Sequence, residues 1–164
     1  MLREHGRYMG IDYGAKRIGL AVGDLRTRMA MPLTIVPGRG DLDADARAVL
    51  GKGNEFDVAA FVVGLPLNMD GSEGEQAGIA RSFGARLAEL SGTSVEFWDE
   101  RLSTFAAEDL MRESDIASGK GHHRVDAVAA QLMLQGFLDA DRHRPGHRPD
   151  EPTASDPLGP ASGR

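Results

Sequence analysis

The stretch that most restricts what this chain can fold into spans residues 7–24, RYMGIDYGAKRIGLAVGD. Tyr8, Met9 and Ile11 are strand formers, and Ile18, Leu20 and Val22 alternate again after a short break. Two strands joined by a tight turn follow from this pattern. Asp12 stands in the first of them, and a carboxylate among apolar residues is costly to bury unless something uses its charge. Gly10 and Gly14 flank it and let backbone or ligand come close. Lys16 and Arg17 occupy the turn, where an anion could be met. A plain surface hairpin with an edge-facing aspartate gives the same pattern.

The rest of the chain reads as strand–helix alternation. Residues 29–36 form a third strand in which Pro32 requires an edge position or a bulge. Residues 41–50 form a helix opened by acids, as the helix dipole favours. The apolar run AAFVVG at 59–64 fits a strand buried on both faces, and the Pro/Asn/Gly-rich loop LPLNMDG leaves it. Ser72 and Glu75 match a capping box that opens a helix to about residue 90, closed by Ser91 and Gly92. Residues 95–98 form a strand that runs into Asp99-Glu100-Arg101. Ser103 or Thr104 caps a further helix to residue 112. After a polar segment ending in KGHHR, residues 125–140 form a helix that is apolar nearly all round in its first half and so largely buried. Asp126 lies in its first turn. The expected architecture is an α/β domain with a mixed sheet, the first three strands a meander and the later two parallel to the first.

Composition narrows the setting. The 164 residues suffice for one domain with a sizeable core, assigned to residues 1–141. Residues 142–164 hold five of the eight prolines and no Phe, Trp or Tyr, which predicts a disordered Pro-rich tail. The absence of cysteine excludes disulfides and thiolate metal sites. No signal peptide or long apolar span is evident, so the expected location is cytoplasmic, with no membrane association. The net charge of −6 argues against nonspecific nucleic-acid binding. It is unevenly spread, however: residues 1–39 carry a net +4 and residues 40–115 a net −10, which leaves room for a locally basic face.

Three acids beside apolar sequence form the chemical signal: Asp12 in the first strand, Glu100 after the last strand and Asp126 at the start of the buried helix. Sites in open α/β sheets form at the carboxyl ends of the strands, an edge that all three can reach. Clustered carboxylates repel one another and need a cation; Mg²⁺ or Mn²⁺ binds through a few carboxylates plus substrate phosphate oxygens. Two such ions about 4 Å apart can activate water for phosphodiester hydrolysis. Three unrelated acids at element ends give the same spacing.

The segments DYGAKRIGLAVGD, VVGLPLNMDGSEGEQA, DERLSTFAAEDL and VDAVAAQLMLQGFLD, in this order, resemble the YqgF (RuvX) family over roughly residues 8–140. The resemblance implies an RNase H-like fold: a five-stranded mixed sheet, its second strand antiparallel, with helices on both faces. It also implies a bacterial nuclease in which Asp12, Glu100 and Asp126 are the metal-binding catalytic acids, acting on pre-16S rRNA or on Holliday junctions. The segment before Asp126, often lysine-rich in the family, here reads KGHHR, so its affinity for phosphate would depend on pH.

Other candidates carry less specific signals. Lys16, Arg17, Arg101 and Arg124 are candidate phosphate contacts, Lys16 foremost because it is beside Asp12, although each alone also fits a solvated charge. Asn68 and Asp70 form a supporting loop at the same edge, and their turn-forming chemistry explains them equally well. Trp98 reads as core. The leading expectation is a metal-dependent endonuclease acting on structured RNA in ribosome biogenesis, monomeric or weakly dimeric. A resolvase of four-way DNA junctions keeps the chemistry but requires a symmetric dimer. A noncatalytic ribosome-assembly factor sits poorly with the acids, and an actin-like ATPase would need a second phosphate loop that this chain lacks.

Overall fold

The computed structural model describes residues 6–102 and 122–141, the side chains of 122–125 and 141 excepted. The helix expected after Ser103 or Thr104, the polar segment before residue 122, the tail from 142 and the side chain of Arg124 lie outside the described residues. Five strands form one sheet: β1 (Arg7–Tyr13), β2 (Arg17–Asp24), β3 (Met29–Pro37), β4 (Val58–Leu65) and β5 (Val95–Asp99). Three helices join them: α1 (Leu42–Glu55), α2 (Glu75–Ser91) and α3 (His122–Asp141). The strand order is β3-β2-β1-β4-β5. β2 runs antiparallel to both neighbours, while β4 is parallel to β1 and to β5. The meander, the parallel pair and the antiparallel second strand all match expectation. So does Pro32: it sits on the edge strand β3, next to the register shift between Leu20 and Ala21 of β2.

Alternation along the strands divides the core in two. Met9, Ile11, Ile18, Leu20, Phe61 and Val63 face α1 and α2 and pack on Val49, Phe83 and Leu87. Tyr8, Ala21, Ala60 and Val62 face α3 and pack on Ala130, Met133, Leu134, Phe137 and Leu138. Trp98 joins this second cluster, edge-on to Phe137 at 5.9 Å between ring centres, a core role as expected. On the α3 side the strands are built from small residues, and this decides how close the helix comes. A methyl group at Gly19 would overlap the backbone carbonyl of Asp126, and one at Gly10 would lie 2.8 Å from Leu134 Cβ. Two glutamines then fasten the helix to β3. Gln135 Nε2 donates to Arg28 O at 2.9 Å while its Oε1 accepts from Ala30 N at 2.9 Å, and Gln131 Nε2 donates to Ala30 O at 3.1 Å.

Several boundaries differ from the sequence reading. The α1 helix continues past residue 50 to Glu55, because Gly53 gives Phe61 its room rather than ending the helix. Termination falls instead at Phe56 and at Asp57, which adopts φ +52. The capping box is absent: α2 begins at Glu75 with Gly74 as N-cap and no side-chain cap. Ser72 is used in the preceding turn, where its amide and hydroxyl donate to Asp70 Oδ1, and Glu73 pairs with Arg81. The α3 helix starts three residues early, which moves Asp126 from the first turn to the second. It buries one face, Ala127, Ala130, Met133, Leu134, Phe137 and Leu138, whereas Val128, Ala129 and Leu132 are only half-buried.

Close packing at Gly19 yields a paired prediction. Gly19→Ala should destabilise the fold by about 1–3 kcal/mol, since backbone must shift to admit the methyl group. Gly51→Ala, in the interior of α1 with nothing within 4 Å, should stabilise it by about 0.5–1 kcal/mol. Urea denaturation of both variants measures the difference.

Candidate active site

Strand direction brings the acids together. β1, β4 and β5 are parallel, so their carboxyl ends share one edge of the sheet. Asp12 is the penultimate residue of β1 and, by alternation with Tyr8 and Gly10, lies on the α3 side. Asp126 reaches that side because α3 rests on Gly19, the residue paired with Asp12 across the hairpin. Glu100 opens a 3-10 turn (Glu100–Leu102) directly after β5, and its carboxylate lies against Gly64 of β4, where any side chain would displace it.

Asp12 senses Asp126, and Glu100 senses Asp12. Burial, then the nearby charge of Asp126, raises Asp12 from 3.8 to about 6. Burial raises Glu100 from 4.5 to about 7, with Asp12 and then Asp99 adding to it. Asp12 is therefore the shared member, coupled to both others. Arg17 Nε lies 3.3 Å from Asp126 Oδ2, yet that oxygen is buried and receives no hydrogen bond among the described residues. The carboxylate is offset by a cation without being saturated, so it keeps capacity for another ligand. No group of three such side chains among the described residues is already drawn in to metal-binding spacing. The donor set still suits a hard divalent cation, which takes carboxylate oxygens and relieves repulsion of this kind.

The other predicted residues separate by their contacts. Lys16 is exposed at the hairpin turn and has no side-chain partner among the described residues. Arg17 is held by Asp126. Arg101 is committed elsewhere: its Nη2 lies 2.7 Å from Asp99 Oδ2, and its Nη1 donates to the carbonyls of Asn68 and Met69. That pairing holds the Asp99 carboxyl below its usual range. Asn68 and Asp70 do turn work: Asn68 Nδ2 donates to Ser72 Oγ at 3.0 Å, and Asp70 accepts from the Ser72 amide at 2.9 Å. The hydrogen bonds of Ser72 hold the Asp70 carboxyl low as well. The loop is thus clipped by Arg101 and by its own turn bonds.

Sequence reasoning missed Gly19, Gly64, Asp99 and a pair on the other face of the sheet, half-buried Tyr13 with buried Asp45. Gly19, Ala21 and Gly23 alternate with Ile18, Leu20 and Val22, so one face of β2 beyond Arg17 is small, a legible sign of close helix packing. Below Asp12, the Tyr13 hydroxyl donates to Asp45 Oδ2 at 2.8 Å, and burial together with that bond pushes the phenol well above its ordinary value. Tyr13 also stacks on Phe83 with 4.2 Å between ring centres.

A pH dependence follows from the raised carboxyls. Asp12 and Glu100 hold protons in the folded, metal-free protein at pH values where the unfolded chain has lost them. Stability in chelator should therefore be greatest at acid pH and decline as pH rises through about 6 and about 7. Melting curves from pH 4.5 to 8 test this, and Asp12→Asn should flatten the decline.

The RuvX family, described as Holliday junction resolvase, matches residues 6–140. A protein of Anaeromyxobacter sp. (strain Fw109-5) named "Putative pre-16S rRNA nuclease" is 49% identical over 137 residues, 84% of this chain and 98% of its own. One of the same name from Myxococcus xanthus is 46% identical over 148 residues, 88% of this chain and 96% of its own. Among solved structures, Thermus thermophilus RuvC in complex with Holliday junction substrate superposes with a TM-score of 0.54 at 16% identity, covering 85% of this chain and 97% of that one. The yeast mitochondrial Holliday junction resolvase Ydc2 gives 0.55 at 10% identity, covering 81% and 78%. Both carry the same fold. With its four motifs in order, three acids at one sheet edge and these relatives along nearly its whole described length, the chain belongs to the RuvX family.

Proposed function

We propose that this protein is a metal-dependent endonuclease that hydrolyses phosphodiester bonds of structured RNA, maturing the end of pre-16S rRNA in the cytoplasm. The observation that carries the reading is the trio Asp12, Glu100 and Asp126, in which Asp12 is coupled to both others and a bound cation would relieve the repulsion without protonation. The names of relatives at 46–49% identity supply the RNA substrate. Asp12 would be the ligand common to the site, with Glu100 and Asp126 reaching it from β5 and α3. Mg²⁺ or Mn²⁺ bound there would lower the pKa of an attacking water and stabilise charge on the phosphate and leaving oxygens. The chain's own residues do the positioning. Gly64 leaves space for Glu100, Gly19 lets Asp126 approach, and Lys16, without a side-chain partner among the described residues, offers a cation to a phosphate next to the scissile one.

A second reading changes the substrate to a four-way DNA junction, favoured by the RuvX family description and the junction-bound RuvC neighbour. It requires two paired cuts and hence a symmetric dimer. The RNA reading is compatible with a monomer or a weak homodimer.

Asp12→Asn tests the chemistry without changing shape. In chelator the variant should be as stable as wild type or slightly more so, because one of the repelling charges is gone. Added Mg²⁺ or Mn²⁺ should raise the wild-type melting temperature by mass action, and that gain should shrink in the variant. Cleavage should fall by orders of magnitude. A pre-rRNA fragment and a synthetic four-way junction offered side by side decide the substrate. Normal cleavage by Asp12→Asn would end the three-carboxylate mechanism.

A further inference from the structure

The β1–β2 turn and the loop between β3 and α1 emerge at one edge of the sheet, because Tyr13 pairs with Ile18 and Arg17 pairs with Pro37. They are also bonded to each other. Gly38 N donates to Lys16 O at 2.9 Å, and Gly38 is packed against the Ala15 carbonyl so closely that no side chain fits there. The next residue is Arg39. Its backbone amide donates to Asp45 Oδ1 at 2.8 Å, and the other oxygen of Asp45 takes the Tyr13 hydroxyl at 2.8 Å.

Among the described residues Asp45 is the charged side chain most completely buried, 1% exposed, and the side-chain hydrogen bonds it accepts there come from two neutral donors. A buried carboxylate held this way is expensive, even with help from the first turn of α1. What it fixes is the position of Arg39 relative to the strand carrying Asp12. Arg39 is exposed, and like Lys16 it has no side-chain partner among the described residues. On the opposite flank of the acids the situation is reversed: Arg101 is neutralised by Asp99, and Asp70 stands nearby. β3 lies two strands from β1, roughly 10 Å at the usual spacing, within reach of a long cation working beside the acids.

We propose that Arg39, held beside Lys16 by buried Asp45, is a second contact for the nucleic-acid backbone, so that bound substrate leaves the acids across the β3 flank of the sheet edge. This rests on the nuclease reading above. The substrate class is the sugar–phosphate backbone itself, with no base preference at this point.

The test is binding of a structured RNA and of a four-way DNA junction to the full chain in chelator, followed by fluorescence anisotropy across a salt series. Arg39→Ala should reduce the slope of log affinity against log salt by roughly 0.7–0.9, the loss of one phosphate contact, with an unchanged melting temperature. Arg39→Lys should keep the slope. Arg26→Ala removes the same charge from the far end of the sheet, beyond the end of β2, and should leave the slope alone. An unchanged slope in Arg39→Ala, or an equal loss in Arg26→Ala, overturns the proposal while wild-type cleavage leaves the nuclease reading standing. A wild-type protein that neither binds nor cleaves either nucleic acid brings down both.

Discussion

The contact on which the rest depends is the one between α3 and β2 at Gly19. There the helix backbone at Asp126 touches the strand with no side chain between them. An acid from residue 126 thereby meets an acid from residue 12, and the two repel. Packing opposes that repulsion. Met133, Leu134, Phe137 and Leu138 are buried on the same helix, each contributing about 1.5–3 kcal/mol by area. Raising Asp12 from 3.8 to about 6 corresponds to about 3 kcal/mol at neutral pH, desolvation included. The apolar face wins by a wide margin, so the helix can hold its acid where electrostatics alone would expel it. Gln131 and Gln135 add a directional constraint, because their bonds to the β3 backbone stop the helix from sliding.

Charge is distributed over the edge with a clear sense. Arg17 offsets Asp126 but makes no hydrogen bond to its buried oxygen, so the acid cluster is compensated without being saturated. Arg101 is bound to Asp99 and to the carbonyls of the 66–71 loop, which makes that loop firm and removes a free cation from its flank. An acidic protein of net charge −6 still places Lys16 and Arg39, exposed and without side-chain partners among the described residues, in neighbouring loops at one side of the edge.

Much of this was legible in the sequence, for identifiable reasons. Period-two alternation in residues 7–24 and the apolar run at 59–64 specify strands strongly, and Pro32 restricts its strand to an edge or a bulge. Asp12, Glu100 and Asp126 stood out because each interrupts or borders apolar sequence. What failed was punctuation. The helix end set at residue 50 falls short of Glu55, with Gly53 in between making room for Phe61, and Ser72 looked like a helix cap but its hydroxyl is used by Asp70 and Asn68. In both cases a tertiary or turn contact overrode a local signal that was sound in itself. The positioning residues were hidden for a different reason. Gly64 and Asp45 have meaning only beside Glu100 and Tyr13, tens of residues away, and no local pattern carries that pairing.

The hairpin also links binding to chemistry in a way that the strand directions dictate. β1 must end at the edge where β4 and β5 end, since all three are parallel. An antiparallel β2 then forces the turn at residues 14–16 to lie at that same edge. Lys16 is consequently four residues from Asp12, and the register Tyr13 to Ile18 fixes their separation. A longer turn would loosen it. The bond from Gly38 to the Lys16 carbonyl and the overlap of Gly38 with Ala15 stiffen the turn from the β3 side. A cation on a freely moving loop would bind phosphate at any of several distances from Asp12. Under the nuclease reading proposed above, one held in this register would favour the single placement in which the neighbouring phosphodiester lies over the acids, so part of the entropic cost of orienting the substrate would be met when the hairpin folds.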